Sequence, residues 1–165
     1  MMLGLSLSAV TTLHVVISLV GIVTGLIVLS GLFKSQSMPG MTAIFLITTI
    51  LTNATGFMFP FEKLLPSHVI AIISLVLLAI ACAALYSMKL SGAWRSIYVI
   101  TAITSLYLNI FVLVIQSFLK IGFLHALAPS VPPSEPPFAI VQGVVLVLFV
   151  IAGIAAVRRY RPALS

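Results

Sequence analysis

The chain has 165 residues, 62% hydrophobic and 6% charged, with eight Lys and Arg against two Asp and Glu for a formal net charge of +6. A mean hydropathy of +1.34 is far outside the range of a water-solvated globule, so a single lipid-solvated domain is expected, with no length left for a soluble one. The positive charge comes with neither a basic domain nor a stacking motif, so nucleic acid is not an expected partner.

Residues 1–12 carry no Lys or Arg, and the apolar run after them is too long for the core of a cleavable signal, so the first span is expected to stay. Charge and proline punctuation place five spans of about 20 residues each, at 13–33, 42–60, 68–88, 98–118 and 138–157. The runs are continuous rather than alternating, and a helix satisfies its own backbone in lipid, so the expected fold is all-α: a polytopic membrane helix bundle. Residues 34–40 read as a turn, and in residues 61–67 Ser67 is placed to cap the third helix. Cys82 lies inside the third run and carries no compartment signal. The last connection holds Pro129, Pro132, Pro133, Pro136 and Pro137 and is expected to be stiff and non-helical.

Lys34, Lys89, Arg95, Arg158, Arg159 and Arg161 fall on one side of this arrangement, and Lys63 and Lys120 on the other. The six-base side is therefore predicted to be cytoplasmic, with the amino terminus outside and the carboxyl terminus inside, touching anionic lipid. His14, His68, His125, Glu62 and Glu135 all map to the opposite, outer side. Histidine and carboxylate are ligands that copper and zinc accept, so His14, His68, His125 and Glu62 form one candidate metal set, although no H-x-x-H or H-E-x-x-H spacing supports it. Interfacial, hydrated histidines are the simpler reading of the same residues.

On the first helix His14, Ser18, Gly21 and Gly25 are spaced four, three and four, one face of small residues that lets another helix approach and turns His14 into the bundle. On the fourth, Ser105, Asn109, Gln116 and Lys120 form a polar line; on the second, Thr49, Asn53, Gly56 and Pro60 form its expected counterpart, with Gln142 of the fifth as another partner. Interhelical hydrogen bonding explains both lines. So does an outward-opening polar cavity, with His14, His68, Asn109 and Gln116 holding a cofactor such as haem b or a quinone head group.

The stretches Leu13-His-Val-Val-Ile-Ser-Leu-Val-Gly21, Thr55-Gly-Phe-Met-Phe-Pro-Phe61, Pro66-Ser-His68 and Leu106-Tyr-Leu-Asn-Ile-Phe-Val112 resemble uncharacterised small bacterial inner-membrane proteins. That resemblance implies a multi-pass inner-membrane location and no particular activity. A looser similarity is to small b-type cytochromes and copper-resistance membrane proteins, which also place histidines near helix ends. Here the histidines sit at one side alone, enough for one haem at most, as by His14 and His68. Three classes of function stay open: a binding or accessory protein partnered by lipids, other membrane subunits or its own copies; a haem or quinone redox protein; and a metal or small-solute transporter. A catalytic set is not evident, and for transport neither a polar path across the bilayer nor a broken helix is evident.

Overall fold

The structure, a computed structural model, describes residue 4, residues 6–59 and residues 66–162, Pro66 by its backbone alone. These residues form six α-helices and no strand: α1 (Leu7–Phe33), α2 (Pro39–Gly56), α3 (Pro66–Cys82), α4 (Trp94–Lys120), α5 (Gly122–Leu127) and α6 (Pro136–Arg159). A π turn, Ala83–Ser87, continues α3. Four helical segments are long and apolar enough to cross a membrane: Leu7–Phe33, Ser67–Ser87, Trp94–Lys120 and Pro136–Arg159. The remaining predicted span, 42–60, corresponds to α2, which begins three residues earlier than expected and ends at Gly56. Its threonines and Asn53 keep it out of that apolar set. Ser67 lies within α3 rather than capping it. The proline-rich connection is not wholly irregular either, since α5 opens it and Pro136 and Pro137 begin α6, where a missing N–H leaves no helical bond unmade.

Local chemistry sets the helix ends. The Ser6 side chain accepts from the Ala9 N–H at 3.1 Å and starts α1. At the other end the Gln36 N–H reaches the Gly31 carbonyl (2.8 Å) and Ser35 takes φ 54°, the left-handed closure usually given to glycine. Ser35 gains a compensating contact, because its Oγ accepts from the Arg161 N–H at 2.7 Å. Without water, the hydroxyls of Thr24, Thr48, Thr52, Thr101 and Ser105 bond carbonyls of their own helices.

The core gathers on α4, which packs against α1, α2, α3 and α6. Ala81, Ala84 and Ala102 are fully buried between α3, its π turn and α4, small side chains that let those helices close up. α4 and α6 run antiparallel along three aromatic pairs: Tyr98–Tyr160, Tyr107–Phe149 and Phe118–Phe138, with ring centroids 6.2, 5.7 and 5.5 Å apart. On α6 these rings recur every eleven residues, about three turns, and so share one face. Its remaining surface, including Val144, Val147, Leu148 and Ile151, is exposed and apolar, as a lipid-facing helix requires.

Between α5 and α6, Glu135 Oε1 accepts from the N–H of Ser130 (3.1 Å) and from its hydroxyl, and Oε2 from the Ser134 N–H at 3.1 Å. The Ser130 hydroxyl first, with the backbone donors, holds the carboxyl below its ordinary value. A depressed folded-state value means the bonds stabilise the loop above the unfolded carboxylate range and are lost as pH falls through the folded value. Hydrogen exchange over 128–135, corrected for intrinsic rate, is therefore expected to quicken on acidification. Glu135→Gln should exchange fast already at neutral pH.

Candidate functional site

The bundle has two chemically different ends. At one, the end of α2 packs between histidines from α1 and α3. His14 Nδ1 is 2.8 Å from Thr55 Oγ1, its ring stands edge-on to Phe59 at 5.3 Å, and Gly56 lies beside Cε1, where a β-carbon would come to 3.8 Å. His68 is 5% exposed, with its ring 5.5 Å from that of Phe57. It is thus buried on the α2 end, although its first-turn position implied contact with water. The two histidines rest on different residues of that segment.

The Thr55 hydroxyl is placed to favour one tautomer of His14. It has one proton, and its oxygen lies 2.8 Å from the Leu51 carbonyl and 3.1 Å from that of Thr52, both acceptors. That proton goes to the helix backbone, so toward His14 the hydroxyl accepts and Nδ1–H donates. In the neutral ring the lone pair is then on Nε2, for which no described residue supplies a hydrogen bond. A second hydrogen bond that fixes the tautomer is how proteins prepare an imidazole to take a ligand through its other nitrogen.

About two helical turns deeper, polar groups of α2 and α4 converge on Gly21 of α1. A β-carbon there would sit 3.1 Å from Thr49 Oγ1, 3.3 Å from Thr48 Oγ1 and 3.5 Å from Asn109 Nδ2. Thr49 Oγ1 and Asn109 Nδ2 are buried without a hydrogen-bond partner. Asn109 and Thr49 thus both face Gly21 without bonding each other, whereas Asn53 turns elsewhere and donates to the Thr49 carbonyl (2.8 Å) and to Ser74 Oγ (3.1 Å). Gln142 donates to the Phe111 carbonyl at 3.1 Å. Gln116 departs from the predicted inward line and is exposed. The buried face of α4 lies chiefly in its first half, and beyond Asn109 the helix is only partly covered.

His125 lies on α5, outside the long helices, with Nδ1 buried and unpartnered. Glu62 and Pro60 fall outside the described residues. Among the described residues no group of three or more His, Cys, Asp or Glu could hold a metal ion.

The other end holds what the sequence did not reveal. Arg95, on the first turn of α4, donates through Nη1 to the carbonyls of Val157 (2.8 Å) and Tyr160 (2.7 Å), gathering the end of α6. Beside it a hollow of about 100 Å³ is lined by Ser37, Pro39, Thr42, Leu85, Tyr86, Tyr98 and Tyr160. Burial pushes the Tyr160 phenol up. These residues come from four separate parts of the chain, so no local spacing announces them.

Fold and composition define an integral membrane protein of the all-helical bundle class. Comparison with protein-family models, curated proteins and solved structures finds no match.

Proposed function

We propose that the chain is a five-span protein of the bacterial inner membrane, amino terminus outside, acting as a binding or accessory subunit with its ligand site at the outer, histidine end. α2 qualifies as the fifth span because it is inside-out: Thr42, Thr49 and Thr52 are buried, while Ile44, Ile47 and Leu51 are exposed. Its 18 residues extend about 27 Å, close to the hydrocarbon thickness of a bilayer. The charge asymmetry supplies the direction, with Lys34, Lys89, Arg95, Arg158, Arg159 and Arg161 on the cytoplasmic side.

The observation that carries the site is the Thr55 hydroxyl behind His14, which leaves Nε2 as an acceptor. The ligand is then a small molecule presenting a hydrogen-bond donor, such as the hydroxyl of a quinol, flanked by Phe59. The redox alternative uses the same lone pair for haem b. Protein purified from its own membrane is to be assayed optically, by elemental analysis and for extractable quinones, with co-purifying subunits identified on the same sample. His14→Ala should abolish bound ligand with the helical content unchanged, and Thr55→Val should weaken it about fivefold, the worth of one hydrogen bond. Unchanged ligand content in His14→Ala removes the reading, and a Soret band that disappears with His14 selects haem.

A further inference from the structure

The basic end carries a second site, independent of the histidine end. Its hollow has Thr42, Tyr98 and Tyr160 as a floor, each no more than 6% exposed, and Ser37, Pro39 and Tyr86 at an exposed mouth. Ser37, Thr42, Tyr86, Tyr98 and Tyr160 each bring to it a hydroxyl able to donate a hydrogen bond. The residues around them are positive. Arg95 binds only neutral partners among the described residues, namely the Val157 and Tyr160 carbonyls and Ser96 Oγ. Lys34, Lys89, Arg158, Arg159 and Arg161 occupy the same end, while Glu135, the one acid among the described residues, lies in the connection between α5 and α6.

The backbone is also irregular at this place. α3 widens into the π turn Ala83–Ser87, and the Leu90 N–H reaches back to the Ala84 carbonyl at 2.9 Å. Lys89 and Leu90 follow at φ 51° and 60°, conformations unfavourable to side chains other than glycine. Leu90 is 7% exposed and part of the core, which holds the turn in place. The wide turn carries Leu85 and Tyr86 to the hollow. Such π turns recur at ligand sites because they turn side chains off the regular helical register.

We propose that this hollow binds a phosphate group through the tyrosine, threonine and serine hydroxyls in the field of Arg95 and its basic neighbours. The group is carried by an anionic phospholipid head or by a free phosphate ion. A volume of about 100 Å³ accommodates the phosphate and not acyl chains, which would leave past the mouth along the exposed apolar faces. Arg95 is a positioning residue: it fixes Tyr160 and contributes charge.

The test uses the full chain in neutral detergent, titrated separately with short-chain phosphatidylglycerol, the matching diacylglycerol and inorganic phosphate, with binding followed by native mass spectrometry and by thermal unfolding. Phosphatidylglycerol binding with one preferred stoichiometry and none by diacylglycerol is expected; saturation by inorganic phosphate as well identifies the free ion as a sufficient ligand. Tyr98→Phe with Tyr160→Phe removes two donors and keeps both rings, and should weaken binding about tenfold. Arg158→Gln with Arg159→Gln, at exposed positions outside the hollow, should weaken it far less. Equal binding by wild type and the tyrosine variant, equal uptake of diacylglycerol, or no binding of either phosphate source overturns the proposal. Should the double variant lose its helical content, Thr42→Val replaces it, with about a threefold loss expected for its one hydroxyl.

Discussion

Gly25→Leu is expected to drive α1 away from α2 and α4 and to destabilise the bundle by about 3 kcal/mol or more, the upper range for overpacking a closed core. A β-carbon at Gly25 would already lie 2.6 Å from Leu106 Cδ1 and 2.9 Å from the Phe45 ring. Both neighbours are buried, at 1% exposed, so a leucine side chain is accommodated only if they shift within the core. In lipid the helices gain nothing by hiding apolar surface from water, so close packing and interhelical hydrogen bonds hold them together. Reversible unfolding in mixed micelles measures the loss. Gly143→Ala is the control: nothing lies within 4 Å of a β-carbon there, and the change should be neutral or slightly stabilising through helix propensity. Equal effects of the two substitutions would show that the α1 interface tolerates bulk.

Arg95→Ala should cost about 2–3 kcal/mol and free the end of α6, because it removes charge-assisted hydrogen bonds to two carbonyls. Those carbonyls, of Val157 and Tyr160, lie 62 and 65 residues away along the chain, so the guanidinium joins the start of α4 to the finish of α6. Lysine retains the charge without the planar fork, so Arg95→Lys should recover less than half of the loss. Unfolding of the full chain reads the energy. Hydrogen exchange at 156–162 reads the local release, and protection unchanged in Arg95→Ala would show that the aromatic pairs alone hold α6.

Much of the bundle was legible because its signals are local. Continuous apolar runs mark α1, α3, α4 and α6, and the spacing of His14, Ser18, Gly21 and Gly25 identifies the packed face of α1, where Gly21 and Gly25 are buried. α2 was harder to bound. Its polar residues dilute the apolar signal, and Pro60, expected to end it, stands outside the described residues. The α4 line failed at Gln116: periodicity places a residue on a helix face but does not say where along the helix its neighbours stop covering it.

By itself, the sequence determined the membrane class and the helical fold, because each follows from composition or from spacing within one segment. Tertiary structure alone decided the chemistry of the two ends. His14 presents Nε2 only because Thr55, 41 residues on, directs its own proton to a backbone carbonyl. The hydroxyl-lined hollow exists only because the α1–α2 connection, α2, the π turn, α4 and the end of α6 meet. Such meetings depend on which helix faces close against one another, which a pattern confined to one helix does not encode.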